Sequence, residues 1–258
     1  METRVLQSHT SRSYIVVQFA SNPSHYEINK YAMALSIGSG ISIGGGISLL
    51  SEPVPTTIGE FIGGGYYAGK ISNTAFSGVA SYYLILAPKA NEVLGKQWGT
   101  TSVVTGITSL IAGSSNTSSL VALGTGYEAA TYCGVTCNAG AGINGYTDWY
   151  LPSAYELTTL FYYLKPTTDL NNNIYGANPY AVAPEPQTNN TTTSPAQTNA
   201  VIFQAGGAQA LESAADYWTS VEMDSLNSWF LYTSDLSAYN GTKQATWVYT
   251  RPVRRIHV

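Results

Sequence analysis

The sequence predicts an α+β fold, because strand-like runs open and close the stretch from Ile58 to the C-terminus and a helix with its own start signal lies between them. Aromatic and β-branched residues mark the runs at 61–71, 81–87, 216–221, 228–232 and 246–256. The helix follows Pro152, where Ser153 and Glu156 have the spacing of a capping box. A third observation is the stretch 165–200, dominated by Asn, Thr, Pro, Ala and Gln, which reads as one long loop.

Residues 1–57 differ from the rest and read as a β-rich segment of their own. Tyr14–Phe19 has the composition of a strand, and between 37 and 49 the apolar residues Ile37, Ile41, Ile43, Ile47 and Leu49 all occupy odd positions while every even position is Ser or Gly. Strands with glycine along one face bury little by themselves, so this segment is expected to pair with another chain or a larger assembly. The Pro53-x-Pro55 break leads into the second domain, 58–258.

In that domain the runs 61–71 and 81–87 are expected to form a hairpin, the second ending at Pro88. Gly126–Cys133 predicts a short helix. The capping box predicts a second, from Ala154, with Leu157, Leu160, Phe161 and Leu164 as its buried stripe and Lys165-Pro166 as its stop. The last three runs suggest one antiparallel sheet, with Asn240-Gly241 as the turn before the final strand. Trp218, Trp229 and Trp247 are then packing residues.

Only 10% of the residues are charged and the net charge is −4, so the surface relies on hydroxyls and amides. With 11 Lys and Arg in all, and only Arg251, Arg254 and Arg255 clustered, the broad basic face needed for nucleic acid is missing. Met1-Glu2-Thr3-Arg4 is not followed by the apolar core of a secretory signal, which argues for synthesis in a cytoplasm. Tyr31–Leu50 is uncharged but too rich in Gly and Ser for a spanning helix, so no membrane insertion is expected. Cys133 and Cys137 read as ordinary thiols, with a bridge left open. The three histidines, His9, His25 and His257, lack ligand spacing, so neither metal nor cofactor is expected.

The ordered series Gly-Tyr-x-Asp-Trp-Tyr-Leu-Pro-Ser-x-x-Glu-Leu (145–157), Tyr-Trp-Thr-Ser-x-Glu (217–222), Ser-Trp (228–229) and Val-Tyr-x-Arg-Pro-Val-Arg (248–254) resembles a domain family of phage tail fibres and bacterial surface proteins. That family is similar to the C-type lectin-like fold of formylglycine-generating enzymes and of the variable proteins of diversity-generating retroelements. The resemblance implies a domain whose first and last strands pair, with two flanking helices and long loops on one face. It makes Asp148, Trp149, Pro152, Ser153, Glu156, Trp218, Trp229 and Arg251 scaffold residues.

Ligand contacts are expected on the loops, at Tyr175, Asn178, Tyr180, Asn189, Asp224 and Asn227, whose aromatic and amide chemistry suits sugars or protein surfaces. No catalytic residue is expected. Formylglycine-generating enzymes need cysteines in the C-terminal region, and both cysteines here precede the capped helix. Glu185-Pro186-Gln187 matches the loop of calcium-dependent lectins only superficially, since Thr, Phe and Val follow the tryptophans. No spacing fixes a glycosidase pair among Asp148, Glu156, Asp216, Glu222, Asp224 and Asp235. The resemblance implies a non-enzymatic homotrimeric virion fibre or tip, joined to other virion proteins through 1–57 and touching a host-surface glycan or protein. The alternatives are a capsid decoration or neck protein and a bacterial surface adhesin.

Overall fold

In the computed structural model the described residues are 2–7, 14–19, 54–172 and 177–258, with side chains described from residue 54 onward. Backbone contacts divide the chain into Met1–Glu52 and Pro53–Val258. In the first unit β1 (Glu2–Gln7) pairs antiparallel with β2 (Tyr14–Phe19), from Glu2 opposite Phe19 to Gln7 opposite Tyr14. The alternating Ile/Gly/Ser segment lies outside the described residues.

The second unit is α+β, with two sheets and three α-helices among the described residues. The first sheet has the order β11-β5-β4-β3 and is antiparallel throughout, formed by β3 (Phe61–Ile62), β4 (Gly65–Ile71), β5 (Tyr82–Leu86) and β11 (Val253–His257). The second has the order β6-β10-β7-β8-β9. Its members are β6 (Val93–Leu94), β7 (Asp216–Glu222), β8 (Asn227–Tyr232), β9 (Ala238–Thr242) and β10 (Tyr249–Thr250). All its pairings are antiparallel except β10 with β7, which meet in parallel at Tyr249 and Tyr217.

Several elements depart from the sequence reading. The run 61–71 is not one strand: Gly63 and Gly64 both adopt positive φ (58° and 81°) and fold it into the β3–β4 hairpin. The final run is split at Arg251-Pro252, so β10 joins the second sheet and β11 the first. Asn240-Gly241 is no turn but lies within β9, opposite Trp229 and Ser228. The domain's first and last strands share a sheet without pairing. The β4–β5 hairpin closes locally and leaves β5 one free edge, which β11 takes.

The helices are α1 (Gly113–Ala122), α2 (Glu128–Gly134) and α3 (Ala154–Leu164). The sequence reading missed α1, whose Ser- and Asn-rich text favours turns. Tertiary contacts hold it instead: Asn116 Nδ2 donates to Ser109 O (2.7 Å) and Ser220 Oγ (3.1 Å), and Thr117 Oγ1 is 3.2 Å from Leu151 O. On α3 the expected stripe Leu157, Leu160, Phe161 and Leu164 is buried, against Leu86, Tyr217 and Leu231 from both sheets. β7 is buried along six of its seven positions because it is covered on both faces. Tyr217 packs toward α3, and its neighbour Trp218 joins Leu120, Ala130 and Cys133 on the side of α1 and α2. No helix among the described residues is long and apolar enough to cross a membrane.

Candidate functional site

The long loop grows out of the end of α3. Lys165 is the helix C-cap and is only 1% exposed. Its ammonium donates to Asn171 Oδ1 (2.5 Å) and to the Asp169 carbonyl, and burial lowers its pKa. Asn171 then binds the returning limb: its amide nitrogen donates to Thr191 O (3.1 Å) and Pro195 O (2.9 Å), while its backbone N–H donates to Thr192 O (2.9 Å). Gln197 and Gln204 donate to Pro166 O and Thr198 O, and Gln187 to Pro179 O and Ala181 O. Apart from a turn of 3-10 helix at Val201–Phe203, the segment from Lys165 to β7 has no regular element among its described residues. Side-chain amides stand in for the missing backbone ladder.

Asn178 illustrates the arrangement. It is fully buried, and its Nδ2 donates to Thr159 Oγ1 (3.0 Å), Glu185 Oε1 (2.9 Å) and Tyr155 O (3.3 Å), while Oδ1 accepts from Tyr180 N (3.0 Å). Its amide chemistry is therefore used inside the loop. Tyr180 is half-buried and packs on Tyr155 with ring centres 5.6 Å apart. Asn189 is exposed, and with Thr188 and Thr191–Ser194 it forms a hydroxyl-rich tip. The Asn171–Thr192 bond sets this tip beside exposed Thr168, Asp169 and Leu170. Tyr175 lies outside the described residues.

Asp224 and Asn227 occupy a different place. The Asp224 carboxylate accepts from the backbone N–H groups of Leu226 (2.7 Å) and Asn227 (2.8 Å) and from Asn227 Nδ2, closing the β7–β8 turn. The hydrogen bond from the Asn227 side chain, with those backbone donors, holds its carboxyl below the usual range. The long loop instead touches the turn at the other end of β8, through Asn172 N to Asp235 O and Ser234 Oγ to Asp169 Oδ2. A six-residue strand, about 17 Å at ~3.3 Å per residue, separates the two groups. The residues expected to bind ligand are thus divided between two ends of β8.

The scaffold residues form a polar frame, buried except at exposed Asp148 and half-buried Trp229. Ser153 N and Oγ each donate to Glu156 Oε2 (2.7 Å), completing the capping box, and Glu156 Oε1 accepts from Tyr150 OH (2.5 Å) and Arg255 Nε (2.6 Å). Asp148 takes a bidentate grip from Arg254, with Nε at 2.7 Å and Nη2 at 3.0 Å. Trp149 is 1% exposed, its indole donating to Tyr146 O, and Asn138 brackets its backbone on both sides at 2.9 Å. Pro152 O accepts from Ser220 N, and Trp229 O from Thr219 Oγ1. Arg251 is 2% exposed and donates to Ala87 O and Gln209 O, with Glu92 at 3.4 Å. Trp247, by contrast, is exposed.

Lys243 and Glu222 form a buried pair at 2.5 Å, and Glu222 also accepts from Thr105 N and Gly106 N. Neither this pair nor the roles of Lys165 and Asn138 were read from the sequence, since nothing local distinguishes them from surface polar residues. Burial raises the Glu222 carboxyl, but the bonds from Lys243 and the two backbone amides outweigh it and leave the pKa below its ordinary value. Burial lifts the Asp216 carboxyl to about 6.

Cys133 and Cys137 are buried, unbridged thiols, both raised by burial. No group of three His, Cys, Asp or Glu among the described residues is placed to hold a metal ion. Depressions of about 430 Å³ at Tyr132, Cys137 and Asn144, and of about 340 Å³ at Ser118, Asn138 and Asp148, include no residue of the long loop. No protein-family model, curated protein or solved structure matches this chain.

Proposed function

We propose that this chain is a non-enzymatic phage virion protein, a short homotrimeric fibre or tip. Residues 1–57 attach it to the particle, and a C-type lectin-like domain contacts a host-surface glycan or protein. The observation that carries the reading is the long loop after α3. Its amides and its lysine are used internally, as at Asn171, Asn178 and Lys165, so the described residues of a segment without regular structure are tied to one another and to α3. Its outer rim, Thr188, Asn189 and Thr191–Ser194, is left to solvent as hydroxyl and amide groups. Recognition loops fixed on a rigid scaffold have this division of labour. The order of motifs across 145–254 supports the lectin-like assignment, and the α+β architecture with its terminal strands in one sheet is compatible with it.

The test is adsorption. The labelled full chain is expected to bind cells of a susceptible host, and replacing 188–194 by a Gly/Ser linker should abolish binding while leaving the circular dichroism spectrum unchanged. If the full chain binds no cell or glycan, and particles lacking it adsorb normally, the receptor reading is wrong and a capsid decoration or neck role takes its place. Sedimentation giving a monomer would remove the trimer.

A further inference from the structure

Glu185 lies in the long loop and is 3% exposed. Its Oε1 accepts from Asn178 Nδ2 at 2.9 Å, and its Oε2 has no hydrogen-bond partner. No Lys, Arg or His among the described residues forms an ion pair with it. The titratable groups facing it come from α3: the phenols of Tyr162 and Tyr163, which reach over the same limb of the loop to Pro184 O (3.0 Å) and Val182 O (3.4 Å). Tyr67 of β4 stands beyond Tyr163. The remaining neighbours, Asn178 from the loop and Thr159 from α3, are neutral; both hydrogen-bond the carboxyl and pull its pKa down, but by less than burial raises it.

A carboxylate in that setting has neither a cation nor enough donors to replace its lost hydration, whereas a carboxylic acid fits and its free oxygen carries the proton. The same side chain holds Asn178, whose other bonds tie residues 178–181 to α3.

We propose that Glu185 is a proton-operated latch: protonated, it keeps residues 178–187 seated on α3, and on ionisation it releases them. The latch does not depend on what the loop contacts. Burial lifts the Glu185 carboxyl from 4.5 to about 8. Because the seated form holds its proton more tightly than the released form, seating is strongest below pH 4.5. It weakens as pH rises from there toward 8 and changes no further above it.

Hydrogen exchange on the full chain between pH 5 and 9, corrected for intrinsic rates, tests this at the Tyr180 and Ala181 amides, which donate to Asn178 Oδ1 and Asn178 O. The opening constant should rise by up to about tenfold per pH unit to pH 8 and then level, as release of one proton requires. In Glu185→Gln it should stay level throughout. Equal pH dependence in both proteins overturns the latch. If the variant fails to fold, the carboxyl carbon of Glu185 in the wild-type chain decides: a titration midpoint near 8 supports the proposal, and one near 4.5 overturns it. Host binding that is lost while this pH dependence persists would sink the receptor reading alone.

Discussion

Glu156 is the residue on which most of the frame converges. One buried carboxylate accepts from Ser153, Tyr150 and Arg255, and so joins the start of α3, the segment before it and β11. Its Ser-x-x-Glu spacing is legible in sequence, but its partners at positions 150 and 255 are not. Glu156→Ala leaves Arg255 Nε and the Tyr150 hydroxyl without their acceptor, and breaking such a buried pair costs about 3–5 kcal/mol. Calorimetry should show a melting temperature lower by roughly 10 °C for a domain of this size. Gly113 carries a related prediction. A Cβ there would stand 2.2 Å from Glu156 Oε2 and 2.7 Å from Ser153 N, so Gly113→Ala should destabilise by a similar order although it removes no bond. A melting temperature within 2 °C of wild type for either variant would contradict this account.

Among the elements, the long loop and the 103–106 strap are held by buried titratable groups with opposite pH behaviour. Glu222 binds the strap through Thr105 and Gly106, and Lys243 binds it through Val103 O. Because Glu222 has a depressed pKa in the folded chain, its contribution is present above its unfolded value of 4.5 and is lost as pH falls below it. Amide exchange at Thr105 and Gly106 should therefore quicken, after intrinsic correction, on acidification below pH 4.5. The loop should instead tighten as pH falls from 8 to 4.5 and change no further below it. Lys165→Ala leaves Asn171 Oδ1 and the Asp169 carbonyl without their donor, a loss of about 1–3 kcal/mol confined to the loop. Limited proteolysis between 166 and 198 should become faster while cleavage elsewhere does not change. The strands and α3 could be read from local pattern, since alternation and capping are short-range signals. α1 could not, because its residues favour turns and it is held as a helix by its bonds to Ser109, Ser220 and Leu151 and by the packing of Leu120.

For the whole molecule, the division at Glu52/Pro53 gives a direct expectation. A fragment of residues 53–258 contains both sheets, the three helices and every core cluster, and should melt cooperatively by itself with the near-ultraviolet signal of buried Trp98, Trp149 and Trp218 intact. Loss of that signal would mean that the first unit completes the fold.

What the sequence alone determined is the α+β class, the capped helix with its stripe, most strand positions and the place of the long loop. These rest on propensity and periodicity within a few residues. Only the tertiary structure decided that 246–256 serves two sheets, that Asn240-Gly241 lies in a strand, and that Asp224 and Asn227 sit at the far end of β8 from the loop they were grouped with. It also decided that Asn178 faces inward while Asn189 faces out. An amide has the same local signature in both settings, and whether it meets water or a buried carbonyl depends on chain segments far away in sequence.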